Sequence, residues 1–251
     1  MLLAIDVGNT NIVIGVYLDE KLQKSWRIKT DARATADELN LIFRSLLVYE
    51  PKVTGISLCS TVPAVLTELR KMLAKSFQDV KIVIIEPGIK TGVPVLIDNP
   101  KEVGADRIAN SLAAFSRHGG PCVVVDFGTS TNFDVVSEKG EFLGGALAPG
   151  IEISLEALAN RAAQLRKVEL SKPRSVIGKG TVEALQSGAL YGFTGQVDGI
   201  IRRIVDEIGP LKAVIATGGL AGVVVEESET ITHHEPDLTL EGLRLVFEKN
   251  R

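Results

Sequence analysis

Two carboxylates stand at matching points of this chain. LLAIDVGNTN carries an apolar run into Asp6, Gly8, Asn9, Thr10 and Asn11, and CVVVDFGTST carries another into Asp126, Gly128, Thr129 and Ser130. A glycine after such a run lets backbone approach a ligand closely, and consecutive N–H groups in a tight turn form a concave anion site. Thr10, Thr129 and Ser130 add hydroxyl donors. An anion cradle alone would not want a carboxylate beside it, so Asp6 and Asp126 imply a cation, either divalent between Asp and phosphate or a second ion. Either turn alone would read as an ordinary hairpin turn. The recurrence at the ends of two similar strands favours phosphate chemistry.

Two further segments carry reactive types. In EVGADRIAN, Asp106 and Arg107 open an apolar-periodic helix, so one could take a proton from an alcohol while the other holds a carboxylate or phosphate. The alternative is an acid favoured by the helix macrodipole beside a solvated arginine. In KAVIATGGLAG, an apolar strand breaks at Thr217, Gly218 and Gly219 before a helix start, where a base or ribose could lie against bare backbone. IGKGT departs from a Walker loop because Gly180 follows Lys179, though Thr181 could cap a helix and touch a substrate. HHEPD, residues 233–237, lacks the same-face spacing of a zinc site and reads as a solvated loop, and RAAQLRKVELSKPR reads as an exposed helix face and a loop.

The elements that must hold these residues follow from periodicity. LLAIDV, IVIGVYL and a shorter KSWRIKT predict an antiparallel meander. Thr35 and Glu38 have capping-box spacing ahead of Leu39, Ile42, Phe43, Leu46 and Leu47, a helix that stops before Pro51. VTGISLCS predicts a strand, Pro63 to Phe77 a helix with proline in its first turn, and VKIVIIEP a strand. A helix carrying Ile108, Leu112 and Phe115 ends at His118-Gly119-Gly120-Pro121, which sets a domain boundary between residues 118 and 119. The second half then repeats the first: CVVVDFGTSTNFDVV lies over LLAIDVGNTNIVIGV without a gap, Thr10 meeting Ser130 and Asn11 meeting Thr131. A duplicated βββαβαβ unit, with the paired turns lining a cleft, is the expected organisation.

Composition narrows the partners. With 28 basic and 31 acidic residues, formal charge −3, no electrostatic footprint for nucleic acid is present. Cys59 and Cys122 lie in apolar runs and read as small buried thiols, not a disulfide or zinc framework. No basic n-region precedes Asp6 and no apolar run reaches spanning length, so the expectation is a soluble cytoplasmic protein without a membrane partner.

DVGNTN, DNPKEVGADRIAN, DFGTST with FDVV, GEFLGGALAPG, IGKGTVEALQSG and ATGGLA, in this order, resemble a type III pantothenate kinase across essentially the whole chain. The resemblance implies an α/β fold of the actin-like ATPase and sugar kinase class. That fold has two duplicated RNase H-like domains, 1–118 and 119–251, each a mixed five-stranded sheet flanked by helices, with the last helix packing back on the first domain. It implies ATP-dependent phosphorylation of pantothenate to 4′-phosphopantothenate, the first step of coenzyme A biosynthesis. The implied cofactors are Mg2+ and a monovalent cation, and the implied assembly is a homodimer. Residue by residue, Asp6, Val7, Gly8, Asn9, Thr10, Asn11, Ile12 and Val13 match the first ATP phosphate motif, with Asp6 acting on Mg2+ through water. Asp126 matches the ligand of K+ or ammonium, and Thr129, Gly218 and Gly219 match ATP contacts. Gly104, Ala105, Asp106, Arg107 and Thr181 match the pantothenate site, Asp106 being the proton acceptor. Departures fall at Ser130 and Asn132, which keep a small and a polar residue, and at Asp98, where some relatives carry tyrosine. A kinase for another small hydroxy substrate, or a silent nucleotide-binding regulator, are the alternatives.

Overall fold

The computed structural model describes residues 1–161 and 168–251, so residues 162–167 of the basic segment expected as an exposed helix face lie outside the described residues. Contacts divide the chain into two compact units, one of Met1–Val93, Asp98–Ala113 and Leu238–Arg251, the other of Pro94–Ile97 and Ala114–Asp237.

In the first unit, β1 (Leu2–Val7), β2 (Asn11–Leu18) and β3 (Lys21–Lys29) form the antiparallel meander. The third strand is longer than its sequence pattern suggested. Asp19, with φ of 53°, turns the chain tightly enough for pairing to resume at Lys21. Helix α1 (Ala36–Leu46) starts on the full capping box, Thr35 accepting from the Glu38 N–H and Glu38 accepting from the Thr35 N–H. Then follow β4 (Gly55–Ser60), α2 (Pro63–Ser76, proline in its first turn) and β5 (Lys81–Ile84). The sheet order is β3-β2-β1-β4-β5, with β4 and β5 parallel to β1.

Strand alternation gives this sheet two different faces. Leu3, Ile5 and Val7 point into a core shared with Leu39 and Phe43 of α1 and Leu69, Met72 and Leu73 of α2. The opposite face of β1 and β4 carries Ala4, Asp6, Gly55, Ser57 and Cys59. Those residues are small because α7 (Leu238–Lys249) lies against β1 and β4: a methyl on Gly55 would run into the Phe247 ring. Helix α3 (Ala105–His118) follows a 3₁₀ turn at Pro100–Glu102, and Gly242 of α7 sits directly on the Ala109 backbone. Thr239 donates to Asn110 Oδ1 at 2.8 Å across the same helix pair.

The second unit repeats the plan with β6 (Cys122–Phe127), β7 (Ser130–Val136), β8 (Phe142–Pro149), α4 (Ile151–Arg161), α5 (Thr181–Ile208), β9 (Ala213–Thr217), α6 (Ala221–Val225) and β10 (His233–His234). Its order, β10-β9-β6-β7-β8, mirrors the first. The repeat is not gapless. Asp6 pairs across its hairpin with Val13, whereas Asp126 pairs with Asn132, so the second turn is one residue shorter and Ile12, not Asn11, occupies the rung of Thr131. HHEPD is also not simply a loop: His233 and His234 form an edge strand parallel to Ile215 and Ala216, their side chains exposed. Backbone pairing explains it, Thr232 and Glu235 N–H groups reaching the Val214 and Ala216 carbonyls. Thr181 does not cap α5. Gly180 is the cap residue and Thr181 is already inside the helix.

Gly242→Ala forces a methyl into the Ala109 carbonyl, a backbone atom that cannot swing aside. The expected cost is about 1–3 kcal/mol of stability, read by urea unfolding of the full chain. An unchanged midpoint would mean that α3 and α7 are not in close contact.

Candidate active site

Asp6 and Asp106 belong to the same unit and are electrostatically coupled. Asp6 is the penultimate residue of β1, on the sheet face that α7 covers, and Asp106 is in the first turn of α3, the helix packed on α7. Burial, then the Asp106 charge, pushes Asp6 up to about 7, while a hydrogen bond from Cys59 and the positive charge of Arg27 pull it down. Asp106 is raised by burial against backbone N–H donation from Arg107 and from its own residue. Its Oδ1 is buried without a hydrogen-bond partner, and Gly104 leaves just enough room beside that atom, since a methyl there would collide with it. Two desolvated carboxylates with an unmatched oxygen suit a positively charged ligand or a substrate proton. A hard cation held by oxygen donors fits this chemistry.

The turn after Asp6 is held from three sides. Gly8 N–H bonds the Asn11 carbonyl at 3.0 Å, and Thr30 reaches the Gly8 carbonyl with its hydroxyl at 2.7 Å and the Thr10 carbonyl with its N–H at 3.0 Å. Thr61 donates to the Val7 carbonyl through N–H at 2.9 Å and hydroxyl at 3.2 Å. Asn9 and Thr10 are exposed at the tip, whereas Val7 and Ile12 point into the core and leave only their backbone for any contact outside it. Cys59 is opposite Asp6 on β4, and its Sγ donates to Asp6 Oδ1 at 3.2 Å. Cys59 in its apolar run reads as packing alone, and neither Thr30 nor Thr61 stands out in the sequence. The signal available was that GISLCS, like LLAIDV, carries a polar side chain near the end of a buried run.

The second unit brings Asp126, Thr129, Gly218 and Gly150 together. Gly218 has φ of +92°, and a Cβ there would lie 2.6 Å from both Asp126 Oδ1 and the Phe127 carbonyl. Bare backbone is therefore obligatory beside that carboxylate. Gly150, the last residue of GGALAPG, donates to the Thr129 carbonyl at 3.1 Å and is packed too closely on Gly128 and Thr129 for any side chain. Gly219 is exposed beyond Gly218, and Thr181 is exposed at the first position of α5. Of the residues expected at the acceptor side, Gly104, Ala105 and Arg107 surround Asp106 at the start of α3, while Thr181 belongs to the other unit.

Among the described residues, no cluster of three or more His, Cys, Asp or Glu could hold a metal, and no helix is long and apolar enough to cross a membrane. A cavity of about 570 Å³ opens between the C-terminal ends of α1 and α2, lined by Phe43, Arg44, Lys52, Thr54 and Phe77. It lies at the opposite end of β1 from Asp6, because Thr54 bonds the Met1 carbonyl, and plays no part in this site.

A family model described as type III pantothenate kinase matches residues 2–203. The chain is 68% identical to the type III pantothenate kinase of Frankia alni over 250 residues, covering 100% of both, and 61% identical to that of Salinispora arenicola over 251 residues, again 100% of both. Among solved structures it is similar to a Baf family protein from Campylobacter jejuni described as a transcriptional activator (TM-score 0.60, 21% identity, 99% and 98% covered). It is also similar to a ROK hexokinase from Thermus thermophilus (TM-score 0.56, 15% identity, 99% of both). Those distant structures bear on the fold alone, and they make the two mixed sheets an actin-like, sugar kinase architecture.

Because Asp6 is raised to about 7 from an unfolded value of 3.8, the folded state holds a proton that the unfolded state releases between those values. This residue therefore costs stability as pH rises from about 4 through 7. Asp6→Asn should raise the unfolding midpoint of the ligand-free protein at pH 8 by about 2–6 °C, a gain that shrinks toward pH 4. Calorimetric scans at both pH values check this, and a pH-independent difference would contradict the buried-charge account.

Proposed function

The chain belongs to the type III pantothenate kinase family, and from that premise we propose how its own residues carry the reaction. The enzyme phosphorylates pantothenate with ATP and a divalent metal, in coenzyme A biosynthesis. Asp106 is the general base: it takes the proton of the pantothenate primary hydroxyl as that oxygen bonds the γ-phosphorus and the bond from phosphorus to the ADP oxygen breaks. The observation that carries this reading is the buried Asp106 Oδ1 without a partner, on a carboxyl whose proton affinity burial has raised. A base so tuned is better matched to an alcohol proton than a solvated carboxylate. Most of the remaining acceleration comes from alignment of the two substrates.

The turn of Gly8, Asn9, Thr10 and Asn11, with the backbone of Val7, Ile12 and Val13, receives the ATP phosphates, and Asp6 holds Mg2+ through water. When bound, that ion neutralises charge on the transferring phosphoryl group. Thr129, Gly218 and Gly219 contact the nucleotide, and Asp126 takes K+ or ammonium; the bare backbone of Gly218 against its carboxylate supports a carbonyl-and-carboxylate oxygen site. Gly104, Ala105 and Thr181 line the pantothenate site, and Arg107 pairs with the substrate carboxylate. The enzyme is a homodimer. Leu147, Ile153, Val176, Ile177 and Val182 of the second unit are exposed apolar side chains, the residue type that a partner copy covers. Its use of ATP is consistent with a cytoplasmic location.

Asp106→Asn should lower kcat by about 10²- to 10⁴-fold while leaving the protein folded and ATP binding close to wild type. Near-normal turnover would remove the base assignment. In the wild-type enzyme with ATP and Mg2+, ADP release should require pantothenate and run faster in K+ than in Na+, with the phosphorylated product seen by mass spectrometry. Asp126→Asn should abolish the difference between the two ions. Equal rates in K+ and Na+ for the wild type would leave a kinase without the monovalent site.

A further inference from the structure

We infer that Cys59 is a positioning residue for the reaction, fixing the orientation of the Asp6 carboxylate through a thiol hydrogen bond so that its second oxygen is aimed at the metal's water. The inference rests on the reading of Asp6 as the residue that holds Mg2+ through water. Three observations carry it. First, the contact is specific: the two residues are register partners on adjacent parallel strands, and Cys59 Sγ lies 3.2 Å from Asp6 Oδ1. Second, Asp6 needs an anchor. Its carboxyl stands at the penultimate position of β1 on the face that α7 covers, and the Cys59 thiol donates to its Oδ1. Third, the duplicated sheet repeats the arrangement: the rung opposite Asp126 on the parallel strand β9 is Thr217, a buried residue that also carries a small donor group.

The alternative role for a fully buried cysteine is that of a small hydrophobe. Geometry argues for more. The thiol is directed at a carboxylate oxygen and not solely at apolar neighbours. It is thus placed as a donor to that carboxylate.

Three substitutions separate donation from packing. Cys59→Ser keeps a donor, Cys59→Val keeps the volume without one, and Cys59→Ala removes both. For each full-length protein, the Mg2+ concentration giving half-maximal ATP binding is measured by titration calorimetry, alongside the Mg2+ dependence of kcat and the melting temperature. Val and Ala should each raise the required Mg2+ about 3- to 10-fold, as expected for loss of one hydrogen bond to a charged group. Ser should stay within about twofold of wild type. A Cys59→Val protein with wild-type Mg2+ dependence, or a Ser protein as impaired as Val, overturns the inference. An Asp6→Asn control shows which reading has failed: if it loses Mg2+ dependence while Val does not, only the role of Cys59 falls. If Asp6→Asn itself keeps wild-type Mg2+ dependence, both fall.

Discussion

Desolvation of Asp6 beside a second acid is the constraint to which the first unit is built. A carboxylate at a strand end would ordinarily lean into water, yet here it is crowded by protein, close enough to Asp106 to be raised by that charge. Such an arrangement is unfavourable in the empty protein and becomes favourable when positive charge arrives, which is the usual signature of a site that spends stability on function. The surrounding structure limits the cost. Arg27 on β3, one strand beyond β2 in the meander, supplies positive charge, Cys59 supplies a donor, and Thr30 and Thr61 lock the carbonyls of the turn.

The same constraint explains why Ala4, Gly55, Ser57 and Cys59 stand on β1 and β4 where α7 lies. For Asp106 to come near Asp6, α3 must begin above the strand tip, and α3 is held there through α7. Helix α7 in turn can lie against β1 and β4 only because Gly55 has no side chain at the Phe247 ring, and α3 can approach α7 only because Gly242 is bare at Ala109. Glycines distant from the chemistry in sequence therefore set the spacing of two acids. Packing density leaves little slack for that spacing to change.

The sequence made some of this legible. The strand-tip acids could be read because duplication placed Asp-x-Gly twice after similar apolar runs, and α1 could be placed because Thr35 and Glu38 satisfy its first N–H groups locally. Asp106 was visible only as an acid at a helix start, and family resemblance turned that into a base. What stayed hidden depends on nonlocal pairing. The contact of Cys59 with Asp6 needs the strand register, since 53 residues separate the pair. The His233–His234 edge strand is two residues long, too short for any periodicity, and is defined by its neighbour β9. The missing residue in the second hairpin was masked because apolar and hydroxyl types match equally well with either offset, and only the ladder partners of Asp6 and Asp126 distinguish them.

That shorter hairpin belongs to a wider asymmetry between the two copies. Around Asp6 the structure gathers a second carboxylate and leaves an oxygen of it unmatched, a concentration of negative charge that suits a divalent ion. Around Asp126 it places backbone instead: Gly218 at positive φ is pressed against the carboxylate and the Phe127 carbonyl, with Gly150 closing the turn at Thr129. A carboxylate oxygen and a backbone carbonyl meeting at one bare glycine match the monovalent ion proposed for that residue. Duplication supplied two equivalent strand tips. What the neighbouring strand and helix put beside each acid, another acid or a bare peptide, is what made their proposed roles different.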